Sequence, residues 1–263
     1  MTKATRRTVL GAALGASALA LAGCGSSHRV VRSSGTLRSS HWPGRDIQWR
    51  LARPADGSDD RTPVVVVLHG KGGNAAAAFD ALHLDDHALE NRLTIASVDG
   101  GTSYWHARRS GVDTGAMVVE DFLPMVRRET RYTGKVAFLG WSMGGYGSLL
   151  LASRLGPDRV FAVVAESAAL WTEPAASAPG AFDDREDFLA HDVFAASRRT
   201  VLARIPVRLD CGRPDPFVAA NRAFAQALPS ARLTVDAGGH TNGYWRDHAG
   251  DQLRWVRHQL ERQ

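Results

Sequence analysis

The chain has 263 residues, of which 44% are hydrophobic, with 32 Lys and Arg against 27 Asp and Glu. Three of the basic residues lie within the first seven, so the remaining chain carries 29 basic against 27 acidic side chains. That balance, without a basic stripe interleaved with aromatic residues, argues against nucleic acid as a partner. The length after residue 45 suffices for one domain with its own hydrophobic core.

The first 23 residues are predicted to form a signal peptide. Residues 5–10 resemble a twin-arginine export motif, an Ala/Gly/Leu-rich run follows, and residues 21–24 resemble a lipobox. The run is short for a membrane span, and an uncleaved anchor is the alternative. We therefore expect an extracytoplasmic protein that is anchored to the cell membrane by a lipid on Cys24. Cys211 is then the only remaining thiol, which excludes an internal disulfide.

Residues 24–45 are rich in Ser, Gly and Arg and predict a flexible tether. The domain that follows, predicted over residues 46–263, alternates strands with helices. This alternation predicts one mostly parallel sheet with helices on both faces, an α/β fold. We expect strands near residues 47–51, 63–70, 93–101, 135–142, 160–170, 207–212 and 232–239, and helices near residues 115–129, 143–156 and 246–262. Residues 171–204 interrupt the alternation and predict an inserted cap.

The sequence "GWSMGGYG" contains one G-x-S-x-G motif, centred on Ser142. Such a pattern arises easily in a glycine-rich chain, so its position decides its meaning. Ser142 directly follows an apolar strand and directly precedes a helix, where a nucleophile elbow holds its serine above the sheet edge. A serine hydroxyl is a weak nucleophile, so we looked for a base and an acid further along the chain.

His240 is the candidate base because it follows the last predicted strand directly. The other histidines after Ser142 fall in the cap or in the final helix. Asp215 is the preferred acid, since it lies a few residues beyond a strand. Asp210 and Asp236 are alternatives, but each lies within its strand.

A tetrahedral intermediate needs two N–H donors for its oxyanion. The residue after the nucleophile, Met143, is the expected first donor. The second is expected from the loop of Lys71, Gly72 and Gly73, which follows the strand "VVVVL". The Lys71 side chain could attract an anionic substrate group, and a solvated surface lysine is the alternative.

Aromatic residues near the expected mouth of the site suggest a pocket for an acyl or aromatic group. These candidates are Trp105, Trp141, Trp171, Phe217 and Tyr244, and ordinary core packing is the alternative for each. The acidic run at residues 183–187 does not have the spacing of a calcium-binding EF-hand loop and predicts a solvated face of the cap. We expect no metal and no cofactor.

Six blocks together resemble the esterase D-like and mycolyltransferase-like branch of the α/β-hydrolase fold. They are "VVLHGKGG", "VDGG" with "YWH", "FLP", "GWSMGGYG", "DCGRPDPF" and "GGHTNGYWR", in that order. The resemblance implies Ser142, Asp215 and His240 as a catalytic triad, with the backbone amides of Lys71 and Met143 as the oxyanion hole. It implies a serine carboxylesterase that acts on a small-molecule, lipid or carbohydrate ester. The alternatives are a cell-envelope acyltransferase and a non-catalytic binding lipoprotein.

Overall fold

The computed structural model describes residues 29–55 and 62–262. Within these residues one sheet contains β1 (Val30–Ser39), β2 (Trp42–Pro54), β3 (Val64–Leu68), β4 (Thr94–Val98), β5 (Val136–Trp141), β6 (Val160–Glu166), β7 (Val207–Gly212) and β8 (Arg232–Asp236). The strand order is β1-β2-β4-β3-β5-β6-β7-β8. The pairs β1–β2 and β2–β4 are antiparallel, and all later pairs are parallel. The carboxyl ends of β3 to β8 therefore meet at one edge of the sheet.

Helices cover both faces of this sheet. They are α1 (Ala77–Asp80), α2 (Thr114–Ala116), α3 (Leu123–Thr130), α4 (Met143–Leu155), α5 (Arg185–His191), α6 (Ala196–Leu202), α7 (Val218–Ala227) and α8 (Asn242–Leu260). A π-helical stretch (Met117–Phe122) joins α2 to α3, and Pro124 lies in the first turn of α3. Among the described residues, no helix is long and apolar enough to cross a membrane.

The central strands are held by burial on both faces. All five residues of β3 are buried, and so are all five of β4. Side chains on one face pack against α4, and those on the other face pack against α8. Each fully buried Val or Leu contributes about 1.5–3 kcal/mol, so these β-branched runs form the rigid frame that carries the site.

The structure corrects two predicted boundaries. The tether prediction is wrong for residues 30–45, which form β1 and the start of β2; residues 1–28 lie outside the described residues. The strand β1 is largely exposed and lacks a strong apolar pattern, so its pairing with β2 was not evident in the composition. The cap predicted over residues 171–204 is also too long. Its last part contains α6, which packs on α4 and belongs to the crossover from β6 to β7, so residues 171–191 alone form the cap.

Candidate active site

Ser142 occupies a tight turn between β5 and α4. Its backbone has φ 55° and ψ −120°, a strained conformation for a residue with a side chain. The turn closes because a Cβ on Gly144 would lie 1.8 Å from the Leu68 carbonyl oxygen, and one on Gly140 would lie 2.3 Å from that of Gly144. Only glycine fits either position, so these glycines allow the turn that presents the serine.

A chain of hydrogen bonds connects three loops at the sheet edge. The Ser142 Oγ lies 2.9 Å from His240 Nε2, and His240 Nδ1 lies 2.9 Å from Asp215 Oδ2. Asp215 is a carboxylate on the loop after β7, so His240 donates its Nδ1 hydrogen to it. The Nε2 lone pair is then free to accept the Ser142 hydroxyl hydrogen.

Asp215 remains ionised although it is buried. Burial by itself raises the pKa of a carboxyl group. Hydrogen bonds from His240 and from the Phe217 amide at 2.8 Å outweigh that effect and hold the pKa of Asp215 below its ordinary value. A carboxylate that is charged at neutral pH therefore faces His240.

The two alternative acids have other partners. Asp210 lies inside β7, where its Oδ2 accepts hydrogen bonds from Arg208 at 2.7 Å and from Gln252 at 3.0 Å. Asp236 accepts hydrogen bonds from the Tyr244 hydroxyl and from His248. Neither is hydrogen-bonded to His240 in the structure, whereas Asp215 is.

The backbone amides of Met143 and Lys71 adjoin Ser142 and the loop that approaches it. Met143 opens α4, where the first N–H groups have no acceptor within the helix. The loop of Lys71 also approaches, since a Cβ on Gly70 would lie 3.3 Å from that of Ser142. Among the described residues, neither the Lys71 nor the Met143 amide has a hydrogen-bond acceptor.

His69 holds this loop against the next strand. Its Nδ1 donates to the Gly70 carbonyl at 2.7 Å, and its Nε2 accepts the Gly100 amide at 2.9 Å. Burial lowers the pKa of His69, so the ring is neutral and has one donor and one acceptor nitrogen, as these two bonds require.

A cavity of about 510 Å³ opens onto the Ser142 and His240 side chains. Trp141 and Trp245 form part of its wall, as do several polar residues. The residues of this wall that were not singled out from the sequence are Asn74, Ala76, Ala77, Asp80, Asn242 and Trp245. Asn242 and Trp245 belong to the block "GGHTNGYW". Because this block contains His240, it was the sequence signal that could have pointed to both residues.

Three of the five aromatic candidates lie near the site. Trp141 lines the cavity, while Phe217 lies 5.3 Å from the His240 ring centroid and contacts the half-buried Trp171. The prediction is wrong for Trp105, which is fully buried in the core against His69. It is also wrong for Tyr244, whose hydroxyl bonds to Asp236 instead of facing the cavity.

The acidic run is not a simple solvated face. Asp183 accepts hydrogen bonds from the Arg108 side chain at 2.8 Å and from the Arg109 amide at 2.6 Å, and Asp184 pairs with Arg109. These bonds lower the pKa of Asp183 to about 2. The run therefore attaches the cap to the loop after β4. The Lys71 ammonium group, though exposed, also reaches the cap, at the Pro179 carbonyl 3.3 Å away.

Among the described residues, one cluster has the composition of a metal site. His106, Asp187 and His191 bring three potential ligand atoms within 4.8 Å of one another. The two histidine rings stack at 4.2 Å with 24° between their planes, so their in-plane lone pairs lie side by side and do not converge on one ion. Burial, followed by the charge of His191, lowers the pKa of His106 to about 4. The two histidines are better explained as neutral, stacked rings beneath the cap.

Comparison with known proteins identifies the family. The family model described as "Putative esterase" matches residues 40–260. The chain belongs to this esterase family. No curated protein matches it. The protein is a carboxylic ester hydrolase of the serine esterase type, and its eight-stranded sheet is that of the α/β-hydrolase fold.

Solved structures share this fold at low sequence identity. A ferulic acid esterase is 22% identical with a TM-score of 0.76, covering 88% of this chain and 99% of its own. An S-formylglutathione hydrolase from Agrobacterium tumefaciens is 19% identical with a TM-score of 0.75, covering 87% and 95%. FphF, a fluorophosphonate-binding serine hydrolase from Staphylococcus aureus, is 16% identical with a TM-score of 0.74, covering 87% and 98%.

Proposed function

We propose that the esterase is exported, lipid-anchored through Cys24, and uses Ser142, His240 and Asp215 as its catalytic triad. The supporting observation is the unbroken hydrogen-bond chain from Ser142 Oγ through both His240 nitrogens to a buried carboxylate. A serine, a base and an acid on separate loops at one sheet edge are the parts that acyl transfer needs.

In the proposed reaction, Ser142 Oγ attacks the ester carbonyl while His240 Nε2 takes the hydroxyl proton. The carbonyl oxygen becomes an oxyanion that accepts hydrogen bonds from the Lys71 and Met143 amides. The ester C–O bond then breaks, and His240 returns the proton to the departing alcohol. Water, deprotonated by His240, then attacks the acyl-enzyme carbonyl, and His240 returns that proton to Ser142 Oγ as the acyl–Oγ bond breaks and the acid leaves. Asp215 stays ionised throughout and stabilises the imidazolium.

The substrate proposed is a small ester whose acyl group packs on the aromatic wall of Trp171 and Phe217. This wall lies beside His240, so an acyl carbon attached to Ser142 would be within its reach. The resemblance to a structure named as a ferulic acid esterase is consistent with an aromatic acyl group. A p-nitrophenyl ester series of increasing chain length, compared with an aryl ester, would measure this preference.

The anchor proposal concerns residues 1–24, which lie outside the described residues. Five residues separate Cys24 from Val30, where β1 begins, so the chain between them can span at most about 20 Å. Membrane fractionation of the wild type and of Cys24→Ser tests this proposal. Equal release of both proteins from the membrane would contradict it.

Labelling by a fluorophosphonate probe tests the proposed nucleophile. Wild type should label and hydrolyse p-nitrophenyl acetate, whereas a folded Ser142→Ala should do neither. Equal labelling of the two proteins would refute the triad, and an unlabelled, folded wild type would indicate a non-catalytic binding lipoprotein. Transfer to an alcohol would use the same residues, so product analysis with and without a sugar acceptor separates an esterase from an acyltransferase.

A further inference from the structure

The cavity beside Ser142 is separate from the aromatic wall proposed for the acyl group. Its own wall is formed by the loop after β3, by α1, and by residues around the start of α8, and it includes neither Trp171 nor Phe217. In the proposed reaction His240 returns a proton to the departing alcohol, so the alcohol oxygen must come within hydrogen-bond distance of Nε2. The cavity opens onto His240 and is therefore the space available to the alcohol half of the ester.

The size and the charges of this cavity suit a neutral small molecule. Its volume of about 510 Å³ lies within the range of small-molecule sites. Its wall contains one lysine and one aspartate, Lys71 and Asp80, and both are exposed to water. The Asp80 carboxylate accepts a hydrogen bond from Arg50 at 2.8 Å, and the Lys71 ammonium group donates to the Pro179 carbonyl of the cap. Because solvent and these partners compensate both charges, the cavity does not require an ionic ligand.

Two tryptophans form an apolar part of the cavity wall. The rings of Trp141 and Trp245 lie 6.0 Å apart between centroids, and both residues line the cavity. The Trp245 Nε1 donates to the buried Ser167 Oγ at 3.0 Å, so its polar edge points into the protein and carbon atoms of the ring face the cavity. This surface suits the C–H groups of a ligand.

Two exposed asparagines supply neutral polar groups to the same wall. Asn242 is the first residue of α8, but the helix is capped by Thr241, whose Oγ1 accepts the Tyr244 amide, so the helix start does not depend on the Asn242 side chain. Asn74 Oδ1 accepts the Ala76 amide at 2.9 Å, which leaves its NH₂ group as a donor. A carboxamide both donates and accepts hydrogen bonds, as a hydroxyl group does.

We propose that Asn242 and Asn74 are specificity-determining residues that select an ester whose alcohol half is a hydroxylated ring the size of one monosaccharide. This inference rests on the proposed function. The C–H face of the ring packs on Trp141 and Trp245, and its hydroxyl groups bond to the two carboxamides and to Asp80 Oδ2. An apolar wall with a few polar groups that fix orientation is the general arrangement of a selective small-molecule site.

The test compares two acetate esters that differ in their alcohol halves. Methyl 6-O-acetylglucoside and cyclohexylmethyl acetate are both primary acetates with a six-membered ring on the ester CH₂, and the second lacks the hydroxyl groups. The measured quantity is the ratio of kcat/KM for the glucoside to kcat/KM for the cyclohexyl ester. The variants are Asn242→Ala, which removes the carboxamide, and Asn74→Asp, which keeps an oxygen for the Ala76 amide and removes the NH₂ donor.

We expect the wild type to prefer the glucoside and each variant to lower the ratio about fivefold, the effect of one hydrogen bond of ordinary strength. The loss should appear mainly in KM for the glucoside, because these bonds are the same in the bound substrate and in the transition state. Gln226→Ala is the matched control, since it removes an exposed carboxamide of α7 that is not part of the cavity wall, and it should keep the wild-type ratio.

A wild-type ratio in both variants would overturn the proposal, and so would a wild type that prefers the cyclohexyl ester or an equal fall of the ratio in Gln226→Ala. Failure of the proposed function is a different result, in which the wild type hydrolyses no ester, p-nitrophenyl acetate included, and Ser142 does not label. Binding of methyl glucoside, followed by saturation-transfer NMR, stays measurable in that case. The signal should be weaker with Asn242→Ala than with wild type, and equal signals would overturn the proposed subsite.

Discussion

Glu166→Gln should stabilise the protein, and increasingly so as the pH rises. Glu166 is fully buried at the end of β6 and pairs in register with Asp210 of β7. Among the described residues, both of its carboxyl oxygens, Asp210 Oδ1 and Gln252 Oε1 lack a hydrogen-bond donor. A proton on Glu166 supplies the missing donor. Burial, followed by the charge of Asp210, accordingly raises the pKa of Glu166 well above its ordinary value of 4.5.

The magnitude follows from proton linkage. Above pH 4.5 the unfolded chain releases the Glu166 proton while the folded protein keeps it, so the folded state binds more protons. The free energy of unfolding then falls by about 1.4 kcal/mol per pH unit until the folded-state pKa is reached. Glutamine does not titrate, and its amide can donate to the acceptors that lack a donor. The free energies of unfolding of the variant and the wild type should therefore match near pH 4. Above that pH, the difference between them should grow by about 1.4 kcal/mol per pH unit.

Urea unfolding from pH 4 to pH 9 measures this difference. Asp215 and Asp236, whose pKa values are lowered in the folded protein, contribute equally to both proteins and cancel. Glu129→Gln, at an exposed glutamate of α3, is the matched control and should run parallel to the wild type. If the free energies of unfolding of Glu166→Gln and wild type differed by the same amount from pH 4 to pH 9, the reasoning would be refuted.

Three further substitutions test the site and its frame. Asp215→Asn should lower kcat roughly 10⁴-fold in an ester hydrolysis assay while the melting temperature changes little, because the amide cannot hold the imidazole in the required tautomer. Gly144→Ala should lower the free energy of unfolding by about 3 kcal/mol, because its methyl group would meet the Leu68 carbonyl oxygen. Calorimetry should show this as a fall in Tm of about 6–12 °C. Asp183→Asn should speed hydrogen exchange in the cap at neutral pH. In wild type the bond to Arg108 persists until the pH falls from 3.8 towards 2, the folded-state pKa of Asp183.

Each of these predictions has a control. Asp210→Asn should retain most of the activity, and a loss as large as that of Asp215→Asn would contradict the assignment of the acid. Gly243→Ala adds a methyl group that meets nothing closer than Thr241 Oγ1 at 3.8 Å, and an equal loss of stability there would remove the steric argument. Glu186→Gln, at an exposed position of α5, should leave exchange in the cap unchanged.

The sequence was most informative where local pattern and burial coincide. The run "VVVV" and the apolar segment before Ser142 appear as β3 and β5, because a strand buried on both faces must be apolar throughout. Residues 30–39 were misassigned, because an exposed edge strand is held by backbone bonds that leave little trace in composition. Trp105 was misassigned because a large aromatic side chain suits a core and a pocket equally well.

By itself the sequence determined the fold class, the glycine-lined turn at Ser142 and the chain order of the proposed serine, acid and histidine, because these depend on strand periodicity and on glycines at fixed spacing. Only the tertiary structure decided which acid meets His240. Asp210, Asp215 and Asp236 lie within 26 residues of one another, and the choice depends on which side chain extends past the sheet edge. It also revealed the buried hydrogen bond from Trp245 Nε1 to Ser167 Oγ, because a contact between residues 78 positions apart depends on how β6 packs against α8.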